Sequence, residues 1–478
     1  MIRAGHIALA LTLACSAPVV AQGTQVKEYD NGGVYKGTFK NGVQHGKGTY
    51  RMPNGFEYSG DWVEGEILGQ GVARYPNGAV YQGAFAKGKR NGRGKISFAE
   101  GGTYEGEWLA NAMTGKGVRT YPDGAVYEGE FLNGAPHGQG RIIATNGYVY
   151  EGEWVSGMKE GKGRITYPDG AVYEGSFARG QRAGQGVLTM PDGLAYSGAW
   201  KAGQINGLGT LTQPNGDVYQ GLLQNGERHG KGKVTYSNGD IYEGDFAHDR
   251  RHGQGSFRGA DGYSFVGDWV EGRIQGKGRV TYPDGSVYEG DFMNDLAHGQ
   301  GAITYPDGSS YSGGWVEGVI EGEGRAQYAG GMVYEGTFKD AKNNGQGKMT
   351  SPDGYTYEGG WKDGLRHGQG RASYGDGTVY EGGFSAGERD GEGKLTMADG
   401  FAYEGGWKAG KIHGEGRAHY ANGDVYEGNF AEGKRQGLGT MTYATGEVQT
   451  GIWTQGAMTK IAPPEAETEE ENPAPSDG

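Results

Sequence analysis

The chain repeats every 23 residues without an insertion or deletion. The marker is a Tyr-x-Gly triplet, whose first residue stands at Tyr35, Tyr58, Tyr81 and onward to Tyr426, with Phe265 and Gln449 holding two of the places. Eighteen full repeats and a truncated nineteenth follow one another, and residues 24–31 match the second half of a repeat. A unit this short buries little on its own. The chain therefore has to fold by stacking copies against one another.

Composition first suggests the opposite. Gly makes up 101 of 478 residues and hydrophobic residues only 35%. The glycines are phased, however. With the marker residue as position zero, Gly recurs at +2 in all 19 copies, and at +11, +13 and +20 in all 18 complete ones. Gly at every third residue, as collagen requires, is absent. With 12% aromatics, including 32 Tyr, the chain also differs from a disordered one.

Within a repeat, Ala125 to Phe131 alternates at period two, so Tyr127, Gly129 and Phe131 point one way and Glu128 and Glu130 the other. The spacing predicts a turn over Leu132 to Gly138 and a second strand from Gln139 to about Ala144. Tyr167-Pro168-Asp169-Gly170 is the kind of turn that joins repeats. Each repeat is thus a β-hairpin, which needs neighbours for stability. The expected fold is all-β: an elongated, solenoid-like single antiparallel sheet of stacked β-hairpins. At ~4.8 Å per strand, eighteen repeats span at most ~170 Å.

Two aromatic columns follow, at zero and +4, with Gly at +2 leaving room for rings to lie over the backbone. The +4 column alternates Phe and Trp: Phe39, Trp62, Phe85, Trp108 and so on, holding all nine Trp, and slips phase once at Leu223. A large ring beside a smaller one fills such a column well, so packing accounts for the alternation. A ligand-binding aromatic row is the alternative. The slip marks a local weak point within residues 219–241.

Other recurrent residues carry less chemistry. Seven of ten His, among them His45, His137, His229 and His252, sit at +10 and read as turn residues, not as a metal centre. Asp or Asn precedes the +20 Gly in 15 of 18 copies, which is turn chemistry. A calcium ladder would need a different period. Glu at +1 and Lys or Arg at +14 would form cross-strand ion pairs if zero lies opposite +15. The Gly-x-Gly pairs are followed by no helix, so they form no phosphate loop. No Ser, His and Asp group stands outside the repeat phase. The expectation is a protein that is no enzyme, with no cofactor and no metal.

The ends differ from the repeats. Arg3, the apolar run Ile7 to Leu13 and the small residues Val19-Val20-Ala21 read as a secretory signal peptide over residues 1–21. The single cysteine, Cys15, lies within it and is either removed or acylated as a lipoprotein anchor. The expected organisation is a half-repeat at 22–34, the array at 35–456, and an acidic, Pro-containing tail at 457–478. A net charge of -13 argues against a nucleic-acid partner.

The stretch Tyr104-Glu105-Gly106-Glu107-Trp108, with Gly115 and Gly117 following, resembles the MORN (membrane occupation and recognition nexus) repeat. The resemblance covers nearly the whole repeat region. It implies a curved or twisted antiparallel sheet with aromatics on one face. It also implies roles in scaffolding, in binding partner segments such as helices, and in association with phospholipids.

Together these readings give an exported binding scaffold of the periplasm or cell envelope. Its partner would be a protein segment, with a glycan or lipid surface as the alternative and self-association through exposed end strands as a further possibility. The candidate binding residues are the aromatics of the two columns: Tyr104, Trp108, Tyr127, Phe131, Tyr150, Trp154, Tyr288, Phe292, Tyr311, Trp315, Tyr357 and Trp361.

Overall fold

In a computed structural model of the chain, residues 23–461 are described; the signal-peptide reading, Cys15 and residues 462–478 lie outside them. They form 39 strands and no helix. They divide into two compact units with the boundary between Glu227 and Arg228. The first holds β1 (Gln25–Glu28) through β18 (Val218–Gln224) and the first residue of β19 (Glu227–Thr235); the second holds the rest of β19 and the strands to β39 (Ala457–Ile461). Within each unit every strand pairs antiparallel with its chain neighbours, as for β10 (Val126–Leu132) between β9 (Ala112–Thr120) and β11 (Ala135–Ile143). Each unit is thus one open antiparallel sheet of stacked hairpins, as the period requires. The last hairpin extends further than expected: β39 takes Ala457–Ile461 out of the expected tail and pairs them with β38 (Val448–Thr454).

The hairpin register places Tyr127 opposite Ile142 and Glu128 opposite Arg141, which is zero against +15 and +1 against +14. The turn is shorter than the sequence suggests. Only Asn133 and Gly134 form it, with φ of 52° and 87°, the paired left-handed residues of a type I′ turn. The second strand then begins at Ala135, four residues before the expected Gln139. Gly138, which looked like loop, is a bulge inside that strand: the register shifts after Gly129, and Gly138 holds φ of 67°.

Between repeats the connection is longer, as between Thr166 and Val172. Gly170 donates its N–H to the Tyr167 carbonyl at 3.0 Å, and Tyr167 donates to Ala171 at 2.8 Å. Asp169 accepts from the Ala171 N–H at 3.0 Å. The equivalent Asp or Asn does the same in the other repeats that have one, for example Asn77, Asp123 and Asp353. The Asp/Asn row is therefore committed to turns.

Candidate functional site

The centre of each hairpin is a pair of facing glycines. A Cβ on Gly129 would lie 2.5 Å from the Cα of Gly140, and one on Gly140 would lie 2.1 Å from the Tyr127 hydroxyl. Both side chains are missing so that the Tyr127 ring can lie flat across the two strands. Its hydroxyl then donates to the Glu130 carbonyl at 2.9 Å, at the residue where the register shifts. All seventeen column tyrosines make this bond to the residue at +3, from Tyr35 to Tyr426.

The +4 rings lock neighbouring repeats. Tyr81 meets Phe85 of its own repeat at 5.0 Å and Trp108 of the next at 5.3 Å, both edge to face. Tyr334 meets Phe338 and Trp361 in the same way, at 5.0 and 5.3 Å. Such contacts contribute about 0.5–1.5 kcal/mol each beyond burial. All nine Trp also donate Nε1–H to the carbonyl of the +13 Gly one repeat back, as Trp108 does to Gly94 at 3.0 Å. Packing, together with this bond, explains the Trp positions.

These contacts bury the residues expected to meet a partner. Tyr104, Tyr127, Tyr150, Tyr288 and Tyr357 are 0% exposed and Tyr311 2%; Phe131, Phe292, Trp108, Trp154, Trp315 and Trp361 lie between 3% and 7%. Stacking of these twelve rings directly on a partner is not available in this conformation. They form the core that the small aliphatic content left unexplained. Burial raises the hydroxyls of Tyr81, Tyr104 and Tyr173 to about 12.

What lies over the columns is a second layer that sequence reasoning passed over. Position +9 carries Arg or Lys in eight repeats: Arg90, Lys159, Arg182, Arg228, Arg251, Arg366, Arg389 and Arg435. Being opposite +4, the side chain folds onto the rings. The Arg90, Arg182, Arg251 and Arg435 guanidinium carbons lie 4.1–4.3 Å from a Trp ring of the next repeat. Arg182 also donates to the Gly203 carbonyl at 2.8 Å, and Arg435 to Gly456 at 2.7 Å, bracing the following turn. Half-buried tyrosines at +17, such as Tyr75, Tyr167 and Tyr374, complete the layer. The signal was present as a periodic cation opposite the +4 ring, visible only once the turn is shortened to two residues.

The charges segregate by face. Positions +9, +15 and +17, which share the ring face, hold nine cations (Arg119 being the ninth) and no carboxylate, in a chain of net charge -13. Among these cations Arg228 pairs with the turn carboxylate Asp249 at 3.2 Å, whereas the ion pairs of +14 with +1 lie on the opposite face. Lys95–Glu105 at 3.2 Å, Arg325–Glu335 at 2.9 Å and Lys394–Glu404 at 3.3 Å join +14 to the +1 of the next repeat. They are exposed and contribute about 0–1 kcal/mol each. Open concavities on that face, such as the one lined by Glu404, Arg417, Glu427 and Thr440, are floored by the Gly pairs. The histidines at +10 are strand residues, not turn residues. His45 and His298 each accept, at 3.4 Å, the backbone N–H of a residue in the next hairpin's turn. Among the described residues no three His, Cys, Asp or Glu converge as a metal would need.

Comparison with known proteins agrees with this architecture. Rat (Rattus norvegicus) alsin is 46% identical over 55 residues, 10% of this chain and 3% of alsin, and human (Homo sapiens) alsin is 42% identical over the same length. The chain thus spans about 3% of the length of these curated relatives. Among solved structures, the TCP10 domain of Danio rerio CPAP is 13% identical, covers 50% of this chain and 95% of its own, and has a TM-score of 0.21. The MORN repeat model matches eighteen consecutive segments, from 35–56 and 58–80 through 403–425 and 426–448. With that match across most of its length, and with the same Tyr, Gly and Trp or Phe scaffold in all repeats but those of Leu223, Phe265 and Gln449, the chain belongs to the MORN repeat family.

Proposed function

We propose that the chain is an exported, non-catalytic scaffold that holds a segment of another protein against its ring face. The observation that carries this reading is the two-layer construction of that face. Buried columns give a rigid bed, and the cations and tyrosines above it are half-buried and lie in register from repeat to repeat. A rigid platform with amphipathic side chains on top binds at low ordering cost. The signal-like segment at 1–21 supports export to the periplasm or envelope.

The test is cross-linking capture from envelope extract with the full chain. Capture of a defined protein, lost in Tyr167→Ala/Tyr374→Ala and kept in the outer-face variant Glu128→Gln, is the expected outcome. Capture of glycan or lipid with no protein would overturn it, as would equal capture by both variants.

A further inference from the structure

The scaffold reading leaves the chemistry of the partner open, and one arrangement, present once in each unit, narrows it. In the first unit Lys159 and Arg182 occupy +9 in adjacent repeats, beside Tyr148 and Tyr167, whose rings lie 6.0 Å apart. In the second, Arg366 and Arg389 hold the same positions beside Tyr355 and Tyr374, with rings 5.2 Å apart. Lys159 Nζ donates to the Tyr148 hydroxyl, Arg366 to Tyr355 at 2.6 Å, and Arg389 to Tyr374 at 3.2 Å. None of the four cations has an acidic partner among the described residues, although the chain holds 58 Asp and Glu. The cavity between Lys159 and Arg182 is lined by Tyr148, Tyr167, Phe177 and Gly203, with no carboxylate.

A half-buried cation without a counter-ion is costly, and ring faces compensate only in part. Burial holds the Lys159 ammonium below the usual lysine range and pushes the Tyr148 hydroxyl up to about 12. The Tyr148, Tyr355 and Tyr374 oxygens each accept from a cation and keep their own proton to donate outward. Cations in adjacent repeats are two strands apart, about 10 Å. In a polyproline-type peptide, residues three apart are separated by about 9 Å. Paired tyrosine rings are also what such peptides dock against.

We propose that these two cation pairs are docking strips for an acidic partner segment in extended, polyproline-type conformation, with carboxylates three residues apart. The carboxylates would complete the missing ion pairs as charge-assisted bonds and the tyrosine rings would take the intervening residues. This rests on the ring face being the binding face.

The probe is a fluorescent peptide of repeating Glu-Pro-Pro, titrated by anisotropy into the full-length protein. Binding is expected to fall with added salt. It should weaken by about ten-fold or more in the quadruple variant Lys159→Gln/Arg182→Gln/Arg366→Gln/Arg389→Gln. A Gln-Pro-Pro peptide should not bind. Because these cations also brace turns, Arg366→Lys/Arg389→Lys serves as the fold control: it keeps the charge and should keep most of the binding. The outer-face variant Lys348→Gln/Arg371→Gln should change nothing. Equal binding of the two peptides, or equal loss in the outer-face variant, overturns the proposal. Tighter binding after neutralising Glu465, Glu467, Glu469, Glu470 and Glu471 also overturns it, since the chain's own acidic segment would then be the occupant. Capture from extract that is lost in Tyr167→Ala/Tyr374→Ala but indifferent to salt and to the quadruple variant defeats this inference alone. It leaves the scaffold reading standing.

Discussion

A column tyrosine does what phenylalanine cannot: it fills the space over two glycines and also donates to the backbone carbonyl at the bulge. Tyr127→Phe leaves the Glu130 carbonyl without its donor and should cost about 1–2 kcal/mol. Phe265 is the native case without the hydroxyl, so Phe265→Tyr should gain about 1 kcal/mol by reaching the Asp268 carbonyl. Local hydrogen exchange in the altered repeat reads both. Ala341 occupies the turn position that is Gly in most repeats, at φ of 61°. Ala341→Gly should therefore stabilise by about 1 kcal/mol in chemical denaturation. The column also predicts an alkaline transition. The neutral hydroxyl is the form that fits, and burial raises it from the ordinary value of 10.0 to about 12 in Tyr81, Tyr104 and Tyr173. That stabilisation is fully present below pH 10 and is lost as the pH rises through about 12, when the folded groups ionise too. Phenolate absorbance should therefore rise together with loss of the sheet signal in circular dichroism; phenolate forming near pH 10 with the sheet intact would contradict the burial.

At the scale of the hairpin, the facing glycines set the geometry. Gly94→Ala would bring a Cβ 2.1 Å from the Tyr81 hydroxyl, displacing the ring from both strands, and should cost about 3 kcal/mol or more. Gly88→Ala meets no atom within 4 Å and should cost only the strain of its φ of 70°, about 1–2 kcal/mol. A difference between the two variants in thermal denaturation separates crowding from backbone strain. The hairpin also shows what the sequence could convey. Period, strand alternation, the zero to +15 register and the interrepeat turn were all legible, because each depends on residues close in the chain. The bulge was not. Gly138 offers the same letter whether it ends a loop or kinks a strand, and reading it as loop moved His137 out of its strand. That error hid the opposition of +4 and +9, and with it the whole layer of Arg and Lys. Nor could alternation say that Tyr127 and Phe131 are covered, since covering comes from rings one repeat away.

At the scale of the whole molecule, the column's one break and the division into two units nearly coincide. Leu223 stands where a ring is expected, four residues before the boundary at Glu227. The column there is without one edge-to-face partner, so limited proteolysis should cut first within residues 219–241. Uniform resistance across that stretch would count against a weak point. The surface charge is likewise a property of the whole chain: its acids sit in turns and on the outer face, leaving the ring face cationic despite the net charge of -13. The central claim is that the aromatic columns are a closed core and that partners meet only the layer above them. All nine Trp belong to the +4 column and lie between 3% and 7% exposed, so they report on it directly. Quenching of their fluorescence by acrylamide, with the partner absent, is the measurement. The structure predicts blue-shifted emission and weak quenching of all nine; red-shifted emission quenched as readily as free indole would contradict it.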